Sequence, residues 1–192
     1  MKKTAVLVID FINEIVHPEG KIAKTAPYMQ EHNTFAKANQ VISLGRERQY
    51  PIIFVTVGFS EDYPECPVSS PVFQNAPKFG ALKLGEWGTA THEALDKQPG
   101  DIDVIKHRVS AFYNTKLDAV LRAQGIERLI LTGVSTDMAV QLTAREAHDR
   151  DYEVVIVEDA CATADPNLQE VTVRALERIA TVVTADKLND FL

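Results

Sequence analysis

Short β-branched runs alternate along the chain with longer stretches of helical period, and few folds accept that alternation. Ala5, Val6, Leu7, Val8 and Ile9 form a continuous apolar run, as a strand buried on both faces requires. From about Asn33 to Gln49, the residues Phe35, Ala38, Val41, Ile42 and Leu44 recur at helical spacing. Pro51 opens a second strand, Ile52 to Val57, and Ile102 to Lys106 is a third. A helix is expected from about Thr115 to Gln124, with Thr115 as N-cap, Leu117, Val120 and Leu121 buried, and Gly125 as C-cap. The second half repeats the rhythm: strand Arg128 to Thr132, helix Asp137 to Arg150, strand Glu153 to Val157. A helix over Leu168 to Arg178, a strand over Ala180 to Val183 and a short C-terminal helix complete it. Six such strands predict a parallel sheet covered on both faces through right-handed crossovers, a three-layer α/β/α sandwich. With 192 residues, 45% hydrophobic and 24% charged, one domain spanning 1–192 is expected.

The segment from about Gly58 to Gly100 breaks the rhythm with Pro64, Pro67, Pro71, Pro77 and Pro99, five glycines and Trp87. A loop of that length is expected to act as a lid or to contact a second subunit. Lys and Arg number 20 against 27 Asp and Glu, and the net charge of −7 disfavours phosphate backbones and anionic lipid. No apolar run reaches the roughly 18 residues of a bilayer span, and the stretch after Met1-Lys2-Lys3-Thr4 is short for a secretory signal. Cys66 and Cys161 have neither metal-ligand spacing nor a disulfide framework around them. These features point to a cytoplasmic protein with a small-molecule partner and neither nucleic-acid nor membrane partners.

Doubly wound sheets bind ligands beyond the carboxyl ends of their strands, so polar residues there are the candidates. Asp10 closes the first strand, where a carboxylate is a poor strand former; a turn or helix-capping role is the alternative. Lys106 closes the third strand ahead of His107 and Arg108, and a solvated strand end is its alternative. Gly133, Val134, Ser135 and Thr136 lead into the helix opened by Asp137, a turn suited to an anion or oxyanion. Ser135 is not in a nucleophile elbow, and the only histidine downstream is His148 in mid-helix, which argues against a serine triad.

Together these segments resemble the isochorismatase-like hydrolase superfamily. The resemblance rests on Val8-Ile9-Asp10-Phe11-Ile12-Asn13, on the stretch from Ile105 to Thr115, on Leu131 to Val140 with Thr143 to Ala147, and on Asp159-Ala160-Cys161-Ala162-Thr163. It covers almost the whole chain and implies a six-stranded parallel sheet, a non-proline cis peptide at Val134–Ser135 and a homo-oligomer. In the amidase branch the catalytic set is Asp, Lys and Cys, which places Asp10 and Lys106 in that set and Ala139 at the cysteine position. Alanine has no nucleophilic atom, so thioester chemistry is excluded at that position. Two origins are open: a natural cysteine-less member, as in the isochorismatase branch, or a replaced cysteine. The text Lys-His-Arg-Val-Ser-Ala-Phe favours the first.

Neither Cys161, in the Asp-Ala-Cys motif, nor Cys66, between prolines, substitutes for the missing thiol. Nicotinamidase-like members bind metal through a histidine cluster after the second strand. The matching stretch here, Gly58 to Tyr63, has no histidine, and His17, His32 and His92 lie elsewhere, so no metal or other cofactor is expected. The remaining chemistry is acid–base: Asp10 would protonate the carbon of an isochorismate-like enol ether, and water would add to the oxocarbenium ion. Lys106 and Arg108 are candidates for binding substrate carboxylates. Phe112, Tyr113 and Trp87 are candidate pocket walls, and the backbone from Val134 through Ser135 to Thr136 is a candidate substrate contact. A binding protein that keeps the pocket without turnover is the non-enzymatic alternative.

Overall fold

Six strands, β1 (Thr4–Ile9), β2 (Ile52–Val57), β3 (Ile102–Lys106), β4 (Arg128–Val134), β5 (Glu153–Ala162) and β6 (Thr181–Val183), form one sheet in a computed structural model describing residues 2–192. Their spatial order is β3-β2-β1-β4-β5-β6, and every neighbouring pair is parallel. The helices are α1 (Asn13–Val16), α2 (Ala26–Glu31), α3 (Thr34–Glu47), α4 (Ala76–Phe79), α5 (Leu117–Ala123), α6 (Gln141–Asp149), α7 (Pro166–Leu176) and α8 (Ala185–Phe191). The connection leaving β1 and the connection leaving β4 turn in opposite directions, which opens a crevice between these adjacent strands at their carboxyl ends.

The two-residue period of β1 divides the core. Ala5, Leu7 and Ile9 pack with Ile53, Val104 and Leu131 beneath Leu117 and Leu121 of α5, Ala144 and Ala147 of α6 and Leu176 of α7. Val6 and Val8 face the other way, onto Ala38, Val41 and Ile42 of α3 and Leu188 of α8. Each fully buried large aliphatic side chain contributes about 1.5–3 kcal/mol. That burial holds α1, α2 and α4, which are too short to be stable helices on their own. No helix among the described residues is long and apolar enough to cross a membrane.

Several boundaries differ from the sequence expectation. The Thr115 hydroxyl donates to Ala111 O at 2.7 Å and accepts the Leu117 N–H at 3.1 Å, so it closes the turn before α5, and Lys116 is the N-cap. The expected helix from Asp137 opens as a wide π-helical turn, Thr136–Val140, before α6 begins. β5 runs on to Ala162, and its register against β4 shifts between Leu131 and Gly133. The segment from 58 to 100 is also more ordered than its composition suggests. Phe59 donates to Leu82 O and accepts from Leu84 N, both at 2.8 Å, and Phe59, Phe73, Ala81 and Leu82 form a third apolar cluster with Ile12 and Val57.

Gly133 sits where β4 comes closest to β1. A Cβ there would meet Ile9 O at 2.6 Å and Ile9 Cβ at 2.7 Å, contacts that the buried backbone of the central strand cannot relieve. Gly133→Ala is therefore expected to lower unfolding stability by about 1–3 kcal/mol. Denaturant titration checks this, and an unchanged midpoint would refute the close approach.

Candidate active site

The first functional side chain is placed by the end of β1. Asp10 takes up a left-handed backbone conformation, φ 55°, and its N–H donates to Val55 O at 2.8 Å. This turns the carboxylate over the end of β2, where Oδ1 accepts the Val57 N–H at 2.9 Å. Lys106 lies in register with Val57 as the last residue of β3, and its side chain reaches across the end of β2 to Asp10. Nζ stands 2.7 Å from Asp10 Oδ2. It also donates to Arg108 O at 3.2 Å and Val109 O at 3.0 Å, which uses all three ammonium hydrogens. Asp10 is 3% exposed and Lys106 1%. Burial pushes the Asp10 carboxyl above its ordinary value of 3.8, and the Lys106 charge and the Val57 N–H oppose that rise without cancelling it.

The pair forms part of the wall of a cavity of about 290 Å³ at the sheet's carboxyl edge. On the β4 side Val134, Ser135, Asp137, Met138 and Ala139 line it, and the Val134–Ser135 peptide bond is cis. Ile15, Ile22, Lys24 and Thr25 contribute from the chain that follows β1, and Val72, Phe73 and Leu82 from the long segment. Thr163 and Ala164, just beyond β5, complete that edge. A neutralised acid–base pair in a largely aliphatic, small cavity suits proton transfer to a small molecule.

A model of the isochorismatase domain matches residues 4–187. The chain belongs to the isochorismatase family. Ureidoacrylate amidohydrolase RutB of Rhizobium rhizogenes is 32% identical over an alignment covering 98% of this chain and 82% of the relative. The N-carbamoylsarcosine amidase of Thermoplasma acidophilum superposes with a TM-score of 0.77 at 31% identity, covering 98% of this chain and 99% of that one. An isochorismatase family protein of Desulfovibrio vulgaris shares the fold with a TM-score of 0.90 at 22% identity, over 100% of this chain and 98% of its own. This protein is thus an isochorismatase-family hydrolase.

Within this isochorismatase-family cavity lie five of the residues singled out by sequence: Asp10, Lys106, Val134, Ser135 and Ala139. The others are placed elsewhere. Thr136 is fully buried beneath the turn and is absent from the lining. The Arg108 guanidinium turns away and donates to Glu65 O at 2.8 Å and His107 O at 2.6 Å. Phe112 belongs to the core under the helices, stacked on Tyr152. Tyr113 is 59% exposed, and Trp87 packs edge-on against His17. The chain after Lys106 keeps Val109 at the cavity and then enters the core layer beneath α5 and α6 with Ala111 and Phe112, so its aromatic residues leave the cavity edge. The apolar walls that replace them are aliphatic, from Ile15, Ile22, Val72 and Leu82, with Phe73 as the aromatic residue of the lining. Neither cysteine lines the cavity, and burial pushes the Cys161 thiol up to about 12.

Lys24, Thr25 and Thr163 are polar lining residues that sequence reasoning did not single out, and Asp137, read from the sequence only as opening the helix after the fourth strand, lines the cavity too. For Thr163 a signal existed, since it ends the motif Asp159-Ala160-Cys161-Ala162-Thr163, but a strand stopped at Val157 hid its position at the sheet edge.

Proposed function

We propose that this hydrolase acts on a small molecule by acid–base chemistry through Asp10 and Lys106, with no cysteine nucleophile and no covalent intermediate. The observation that carries this reading is the buried Asp10–Lys106 pair opening into the same cavity as Ala139. A protonated Asp10 would donate to the methylene carbon of an enol ether, forming a C–H bond and an oxocarbenium ion. Water then adds to the cationic carbon, its proton returns to the Asp10 carboxylate, and the hemiketal releases an alcohol and a ketone. The upward displacement of the Asp10 carboxyl favours the acid form, and Lys106 stabilises the carboxylate left after proton donation.

The names of the relatives favour a second reading, amide hydrolysis by a member whose cysteine is replaced at Ala139. The two readings differ in what Ala139→Cys does. Removing a serine-protease nucleophile costs on the order of 10⁶ in kcat, so an amidase with alanine at that position should be nearly inert. The unmodified chain is expected to hydrolyse isochorismate and to leave ureidoacrylate intact, each followed by product chromatography. No turnover of isochorismate, together with gain of ureidoacrylate hydrolysis in Ala139→Cys, would establish the second reading and reject the first.

A further inference from the structure

The loop after α1 forms a cavity wall whose shape is set by a buried carboxylate. Glu14 is 3% exposed; its Oε1 accepts the Lys21 N–H and its Oε2 the Leu82 N–H, both at 3.0 Å. The Ile22 N–H donates to Glu14 O at 3.2 Å, and the Thr25 hydroxyl donates to Ile15 O at 3.0 Å. A Cβ at Gly20 would meet Asn13 O at 2.4 Å and Glu14 O at 2.5 Å, so the loop lies directly against the α1 backbone. Tied down at these points, the loop presents Ile22, Lys24 and Thr25 to the cavity.

Charge distinguishes Lys24 from the other cations nearby. The Lys106 ammonium is engaged by Asp10, the Lys21 ammonium by Gly80 O at 2.6 Å, and the Arg108 guanidinium by two carbonyls outside the cavity. Among the described residues, Lys24 is the one cation of the lining whose side chain no protein acceptor engages. Asp137, on the turn after β4, accepts the Thr163 hydroxyl at 2.6 Å and repels an anion from that side. Lys24 also borders a neighbouring cavity of about 790 Å³, with Ile22, Val72 and Leu82 common to both.

We infer that Lys24 is the specificity-determining residue of the catalytic cavity and selects substrates that carry a carboxylate. This deepens the proposed function, since it takes the same cavity as the substrate site. The reacting group of such a substrate lies at Asp10, and its carboxylate is directed to the Lys24 wall, away from Asp137. A charge-assisted hydrogen bond from an exposed lysine is worth about a tenfold preference in affinity.

Calorimetric titration of the intact chain tests this with two isosteric pairs, ureidoacrylate against ureidoacrylamide and benzoate against benzamide. In at least one pair the carboxylate is expected to bind about tenfold more tightly than its carboxamide. Lys24→Met should bring that ratio to about one, Lys24→Glu should invert it, and Lys24→Arg should restore it, all at unchanged melting temperature. A ratio that survives Lys24→Met overturns the inference. So does a wild-type chain that shows no carboxylate preference, failure to bind either pair included. Binding is read without turnover, so a chain that selects carboxylates through Lys24 but hydrolyses no enol ether would strike the acid–base proposal alone.

Discussion

Asp10→Asn is expected to lower kcat by roughly 10²–10⁴-fold while the protein still folds. Asparagine keeps the volume of aspartate and one carbonyl oxygen, so it can accept from either the Val57 N–H or Lys106 but not from both. Lys106 retains Arg108 O and Val109 O but loses its counter-charge, so the stability loss should approach the roughly 3–5 kcal/mol of a broken buried ion pair. Among the described residues Asp137 is the other carboxyl of the cavity lining, and it is engaged by the Thr163 hydroxyl rather than by Lys106, so it does not take the place of Asp10. The pH profile separates chemistry from packing. Burial raises the wild-type carboxyl, so the acid form is depleted, and kcat should fall, as pH rises through that raised value. Residual activity of Asp10→Asn should show no such limb. A fully active variant, or activity that merely tracks melting temperature, would remove Asp10 from the reaction.

The middle of the sheet was legible because β1, β2, β4 and β5 are largely buried on both faces, whereas the edge strands β3 and β6 are partly exposed. Val6 and Val8 face one layer and Leu7 and Ile9 the other, which requires the unbroken apolar runs seen in the chain. α3 was legible for the same reason, since Ala38, Val41 and Ile42 repeat at the spacing of one buried stripe. The four-residue helices α1 and α4 escaped because less than two turns carries no readable period. Asp10 and Lys106 were legible as polar residues ending apolar strands, a position where topology brings side chains from different strands together.

The walls of the cavity were not legible, and the reason is geometric. Phe112 follows Lys106 by six residues and is apolar, but whether it faces a cavity or a core depends on which side of the sheet the chain descends. The structure sends it against Tyr152 and Arg150, into the core layer beneath α5 and α6. Val72, Phe73 and Leu82 come instead from the long segment, where tertiary contacts rather than period decide burial. Lys24 carries no local signal at all. Its place in the wall depends on Glu14, ten residues earlier, and on Leu82, far along the chain.

Lys106→Met is expected to destabilise the protein by about 3–5 kcal/mol at neutral pH and to abolish measurable turnover. Methionine preserves most of the apolar stem, so packing across the end of β2 changes little. What changes is charge, because Asp10 keeps its burial and the Val57 N–H but loses the cation that opposes its upward displacement. A carboxyl raised in the folded state stabilises the fold below its unfolded value of about 3.9, and that contribution is lost as pH rises through the folded value. The deficit of Lys106→Met relative to wild type should therefore be larger at pH 8 than at pH 5. Adding Asp10→Asn neutralises the stranded carboxylate, so the double variant should be more stable at pH 8 than Lys106→Met alone and equally inactive. Denaturant titration of the four proteins at both pH values measures each of these differences. A deficit independent of pH, with no recovery in the double variant, would mean that Lys106 holds the fold through its stem rather than through its charge.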